Sequence, residues 1–212
     1  MIERVLQQTS WLALLLASLI ASPALADING DLHPAQTLIK QTTSEVLTVL
    51  HDHRELMESD RQAVYKLISD KIVPHFDFKR ISSLVLGRYG RRASVAERQN
   101  FQQQFERLLI RGYATALLDF IDAPINVLPV RSSAEDREVL VRVEVKPLGA
   151  PSVQVHYRIY EDHGVWKIFD VRVDGISLVT NYRTSFGGVI RRHGIAGLID
   201  QLAERNARVT TR

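Results

Sequence analysis

Val139–Lys146 reads VLVRVEVK, and its period decides the fold class. Valine recurs at every second position while Leu140, Arg142, Glu144 and Lys146 fill the places between. In an extended chain that puts one wholly apolar face opposite a mostly charged one, the pattern of an antiparallel sheet with one buried side. Two more strand-like runs follow, Val153–Tyr160 and Val165–Val173, separated by Glu161-Asp162-His163-Gly164, a turn composition that predicts a hairpin. Ile125–Arg131, on the other side, reads as a fourth strand. Before Pro124 the period is helical. Pro34 to about Glu55 carries Leu38, Val46, Leu47 and Leu50 at helical spacing, Asp60–Val73 forms a second helix ended by Pro74, and Asp77–Leu86 a third. Ser94 with Glu97 three residues on is a capping-box start. It opens a long helix whose Phe101, Phe105, Leu108, Gly112, Ala116 and Phe120 form one stripe. After Gly175 the helical period returns through Val179, Tyr182, Phe186, Val189 and Ile190, then Ile195–Glu204 beyond a break at Gly194. Helices, then a meander, then helices predict an α+β fold. Its helical part covers about 32–121, its sheet about 125–174 and its C-terminal helices about 175–206.

Composition narrows the function classes. Trp11–Ile20 (WLALLLASLI) is too short to span a bilayer and is followed by Ala24-Leu25-Ala26, the form of a secretory signal peptide cleaved after Ala26. The expected organisation is therefore a signal over residues 1–26 and one domain over 27–212. The 212-residue chain has no cysteine, which excludes disulfides, thiolate metal sites and cysteine nucleophiles together. Its 27 basic and 24 acidic residues leave a formal charge of +3. That mild bias, in an exported chain without a recognisable binding motif, argues against nucleic acid and leaves anionic headgroups or acidic protein surfaces as partners.

Signatures of catalysis are missing where they would be expected. The chain contains no G-x-S-x-G elbow, no H-E-x-x-H helix and no P-loop. His51 and His53 form an H-x-H pair, but two residues apart on a helix they face different sides, and no metal site is expected. Gly87-Arg88-Tyr89-Gly90-Arg91-Arg92 sets three guanidinium groups in a glycine-punctuated loop. Such groups can pair with a phosphate in bidentate fashion, orient a docking partner, or simply solvate the loop. Arg191-Arg192-His193, with Lys79, Arg80, Arg107 and Arg111, is a further basic set that suits either an acidic partner or a solvated face.

Two long blocks carry a family resemblance. Asp77–Leu117 reads DFKRISSLVLGRYGRRASVAERQNFQQQFERLLIRGYATAL and Val165–Phe186 reads VWKIFDVRVDGISLVTNYRTSF. With Tyr157 between them and Gly197-Leu198-Ile199 after them, they resemble the MlaC or toluene-tolerance family over roughly Leu32 to Asn206. The resemblance implies an NTF2-like curved antiparallel sheet packed against helices, with an interior slot that holds the acyl chains of a phospholipid. It implies a periplasmic carrier, with lipid as cargo and no cofactor, moving phospholipid between an outer-membrane MlaA-like lipoprotein with its porin and an inner-membrane ABC-transporter complex bearing an MlaD-like ring. It offers Val85, Leu86, Tyr113, Leu117, Tyr157, Phe169, Val171, Val173 and Tyr182 as lining residues. Arg88, Arg91, Arg92 and Arg183 are offered to headgroup or partner. For each lining residue, ordinary core packing is the competing reading. A hopanoid-like cargo is the alternative ligand. A remoter alternative is an NTF2-like enzyme, in which Asp170 would act as a buried acid or base with Tyr157 or Tyr182 as donor.

Overall fold

A computed structural model describes residues 32–133 and 136–209; the predicted signal peptide lies outside them. The order of elements is α1 (Pro34–Asp52), α2 (Arg54–Ser59), α3 (Arg61–Leu67), α4 (Phe78–Leu86), α5 (Val95–Asp119), β1 (Ile125–Val127), β2 (Glu138–Val145), β3 (Val153–Asp162), β4 (Val165–Val173), β5 (Ile176–Ser177) and α6 (Leu178–Val209). The five strands form one antiparallel sheet in sequence order. The fold is α+β, as the change of period implies.

Local chemistry sets most boundaries. Pro34 opens α1 in the first turn, where its missing N–H costs nothing, and His33 caps it by accepting the Ala35 amide through Nδ1. The capping box at Ser94 forms in both directions: Ser94 Oγ accepts from Glu97 N and the Glu97 carboxylate accepts from Ser94 N. Two tight turns use a residue with positive φ before glycine, His163-Gly164 (φ 50° and 84°) and Asp174-Gly175 (φ 47° and 83°), the geometry of two-residue hairpins. Gly194 (φ 70°, ψ 180°) breaks α6 in two.

Several expected elements change shape. The first helix stops at Asp52, and α2 starts afresh after His53. The second helix turns into a π-helix over Ile68–Ile72 and a 3-10 turn over Val73–His75, because Pro74 offers no amide to continue the α ladder. The fourth strand is only Ile125–Val127, since little beyond it finds a partner on β2. On α5 the apolar stripe does not run straight. Phe101, Phe105 and Leu108 are buried, but Gly112 is exposed, and burial passes instead to Ala114. The side chain of Ala116 lies outside those described.

Three apolar clusters hold the chain. The first joins α4, α5 and α6 through Ile81, Phe101, Phe105, Phe186, Leu198 and their neighbours, and takes Phe169 from β4. The second lies on the valine face of the sheet beneath the start of α1. The third joins α1, α2, α3 and α5 around Leu50, Met57 and Val64. Helix α4 is fastened to the sheet by Asp77. Its carboxylate accepts from the Arg80 amide and the Tyr160 hydroxyl, and its own amide donates to Ile168 O at 2.9 Å. The Arg80 guanidinium lies against the Tyr160 and Phe169 rings at 4.0 and 3.9 Å and reaches Glu138 at 3.5 Å, joining cation–π contact to an ion pair.

Candidate functional site

Among the described residues, the valine face of the sheet gathers apolar side chains from several strands. Register aligns Val139, Ile159 and Ile168 in one row, Val141, Tyr157 and Val171 in the next, then Val143, Val155 and Val173, with Val145 beside Val153 at the edge. Side chains directly opposite on one face are the contact unit of a sheet, so these rows make a continuous apolar floor without a charged group. Trp166, Ile125 and Val127 extend it. Helix α1 contributes Ala35 and Ile39 to its cover, with Phe76, Phe120, Ala123 and Val130 beside them. Val139, Val141, Val143, Val145, Ile159 and Ile168 are buried, Val153, Val155, Tyr157, Trp166 and Val171 stay only partly buried, and Val173 is 43 % exposed. Burial still raises the Tyr157 phenol above its ordinary value, as a low-dielectric wall does to any acid. His33 closes one end, its ring 5.0 Å edge-on to Trp166.

A second feature lies where α4 ends. Gly87 has φ 52° and ψ −126°, a combination that side chains beyond glycine avoid. The chain turns there between two clefts, both walled by Leu86 and Gly87. One, of about 410 Å³, is lined by Arg88, Tyr89, Arg183 and Arg191; the other, of about 660 Å³, takes Arg91. Three of the four arginines singled out in the sequence thus converge on one glycine, while Arg92 is exposed and lines neither cleft. Arg183 is partly committed, its Nε donating to Leu84 O at 2.7 Å.

The model of the MlaC protein family matches residues 40–204. The chain belongs to the MlaC family. It is 29 % identical over 158 residues to the toluene tolerance protein ttg2D of Pseudomonas putida, covering 74 % of this chain and 73 % of that protein. It is 19 % identical over 170 residues to the intermembrane phospholipid transport system binding protein MlaC of Haemophilus influenzae, covering 79 % of each. Among solved structures it is similar to a phospholipid-binding protein of Ralstonia solanacearum determined in complex with a phospholipid. The TM-score is 0.77 at 34 % identity, over 83 % of this chain and 98 % of that one.

This MlaC-family chain distributes the remaining sequence candidates widely. Tyr157 and Val171 are cross-strand partners in the middle of the valine floor, with Val173 at its end. Val85, Leu86, Phe169 and Tyr182 belong to the helical cluster, and Leu117 to the third. Tyr113 is 49 % exposed. The Tyr182 phenol is pushed up to about 12, chiefly by burial and then by Tyr113. Asp170 is 4 % exposed, yet it does not face the floor. A register shift between Arg158 and Ile159 leaves Phe169 as an extra residue, a bulge that turns Asp170 toward the helices. There it accepts from Ser177 Oγ at 2.8 Å and Val179 N at 3.1 Å, and Ser177 Oγ in turn accepts from Thr180 N. Both carboxylate oxygens hold the start of α6. Val141, Val143, Val155 and Trp166 are floor residues absent from the lining candidates that the resemblance offered. Their signal was the period of two, which names a face but not its partner.

Proposed function

We propose that this chain is a periplasmic phospholipid carrier whose cargo lays its acyl chains along the valine floor. The observation that carries this reading is the floor itself: rows of apolar side chains whose centre, Val139, Val141 and Ile159, is buried while Val153, Val155, Tyr157, Trp166 and Val171 keep partial exposure. Val173 is exposed, and a contiguous exposed apolar patch marks an interaction site or a ligand-binding groove. The descriptions of the Haemophilus and Ralstonia relatives, which name phospholipid transport and a bound phospholipid, support the cargo. In this reading the body is NTF2-like, residues 1–26 are removed on export, and residues 27–212 form the lipid-binding domain. It shuttles lipid between the outer and inner membranes as the soluble part of an Mla-type system. Its partners are an MlaD-like ring on an ABC transporter and an MlaA-like lipoprotein with its porin. Arg88, Arg91, Arg92 and Arg183 are the cations offered to headgroup or partner, and Asp170 is read as scaffold at the start of α6.

Energetics fit a carrier. Each methylene removed from water contributes about 0.8 kcal/mol, so two acyl chains of roughly thirty methylenes in all gain about 24 kcal/mol by the same rule. That exceeds the roughly 18 to 21 kcal/mol at which non-covalent affinities saturate. Release into water is negligible, whereas transfer to a bilayer or another apolar site is near balance. The test is native mass spectrometry of protein taken from its own cells, with lipid identified after denaturation. A stoichiometric phospholipid is the expected result. A hopanoid-like adduct replaces the cargo, and a lipid-free protein overturns the carrier.

A further inference from the structure

The larger cleft beside Gly87 has a lining of one charge sign. Between α4 and the first turns of α5 it is lined by Lys79, Arg91 and Arg98 with the polar residues Ser82, Ser83, Gln99 and Gln102. Among the described residues that line it, none is acidic. The acid nearest in sequence, Glu97, has its carboxylate turned back onto the Ser94 amide in the capping box. The donors are largely unspent. Among the described residues Lys79 and Arg91 have no hydrogen-bond or ion-pair partner, and Arg98 spends Nη1 on the carbonyls of Gly90 and Ala93. Ser82 is only 4 % exposed, and its Oγ is buried with no partner, which normally costs stability unless a ligand or water completes it.

Cations lining one cleft repel one another, and a bound anion offsets that repulsion. The walls are equally suited to close approach. Gly87 and Gly90 present bare backbone, and a Cβ at Gly90 would stand 3.2 Å from Leu86 Cβ. At about 660 Å³ the cleft has the size of a small-molecule site, and forked guanidinium groups with hydroxyl and amide donors match the oxygens of a phosphate.

We propose that this cleft is an anion site for a phosphate ester, held by Lys79, Arg91 and Arg98 with Ser82 at its wall. It rests on the carrier reading only in that a lipid headgroup is one source of such an ester; a free phosphate ester is the other. The test uses isotopically labelled protein at low salt, following the Gly87 and Gly90 amides by NMR while inorganic phosphate and then glycerol 3-phosphate are added. Saturable shifts are expected. They should weaken about tenfold in the double variant Lys79→Gln, Arg91→Gln, and remain unchanged in Arg192→Gln, whose side chain lies outside the cleft. Co-sedimentation with phosphatidylglycerol vesicles, against phosphatidylcholine vesicles, separates the sources. Retention by the first alone that the double variant loses assigns a lipid headgroup, and phosphate-dependent shifts without retention assign a free ester. The proposal is overturned if neither phosphate compound gives a saturable shift or if the double variant responds as the parent does. It is equally overturned if a glutamate hexapeptide shifts these amides while the phosphates do not, because the cleft is then a surface for an acidic protein segment. Native mass spectrometry of the same samples reports lipid separately, so a lipid-free protein that still binds phosphate loses the carrier reading and keeps this site.

Discussion

Asp170→Ala tests whether the buried carboxylate is scaffold or chemistry. The substitution removes the acceptor for two donors at once, Ser177 Oγ at 2.8 Å and the amide of Val179 at 3.1 Å. Val179 is itself buried, so no water replaces the lost partner of its amide. Hydrogen bonds to an ionised acceptor contribute about 1.5 to 3 kcal/mol each, and loss of a helix-start acceptor alone costs about 0.5 to 2 kcal/mol. The two losses share one helix terminus and do not add fully, so the expected destabilisation is about 3 kcal/mol. With a urea m-value of roughly 2 kcal/mol/M, the unfolding midpoint falls by about 1.5 M. Asp170→Asn keeps one acceptor and turns an NH₂ toward the other donor, so it should lose about half as much. Urea unfolding followed by circular dichroism measures both. A midpoint for Asp170→Ala within about 0.3 M of the parent, beyond the scatter of such extrapolations, would refute the scaffold role and return Asp170 to the acid–base candidates.

Three further perturbations bear on separate parts of the molecule. Val171→Glu places a carboxylate in the middle row of the floor, beside Tyr157. A variant that keeps its circular dichroism should lose its co-purifying lipid in native mass spectrometry, and lipid retained at the parent level removes Val171 from the floor. Gly87→Ala forces a side chain into φ 52°, ψ −126° at a cost of about 1 to 3 kcal/mol, seen as a lower Tm, and an unchanged Tm contradicts that geometry. The Glu106 carboxyl is raised above its ordinary value, first by burial and with Arg107 opposing. The folded state therefore holds the proton more tightly than the unfolded chain, and stability falls as pH rises through the carboxylate range. Glu106→Gln should raise the unfolding free energy at neutral pH by less than about 1 kcal/mol, because the site remains partly solvated, seen as a higher Tm, and have no effect below pH about 4. A gain of equal size at both pH values refutes the assignment.

Much of the architecture was written in short-range patterns. The valines from Val139 to Val145 name a half-buried strand because side chains alternate faces whatever the tertiary structure does, and Ser94 with Glu97 names a helix start because both hydrogen bonds close within three residues. Asp174-Gly175 carried a comparable signal for the β4–β5 hairpin, although the return of helical spacing after it made β5 hard to see. The helix ends around Asp52 and Val73 and the bend of the α5 stripe depended on which neighbours arrived.

The candidate site divides in the same way. Sequence by itself determined that one face of the sheet is apolar, that the chain belongs with the MlaC proteins, and that several arginines cluster around Gly87. Only the tertiary structure decided that Tyr157 and Val171 share a row while Val85, Leu86 and Phe169 pack elsewhere. It alone turned Asp170 toward α6, and it alone brought Lys79, Arg91 and Arg98 to the lining of one cleft. The reason is physical: periodicity reports the direction of a side chain relative to its own backbone, whereas register, a one-residue bulge and the packing of distant helices decide what stands opposite it.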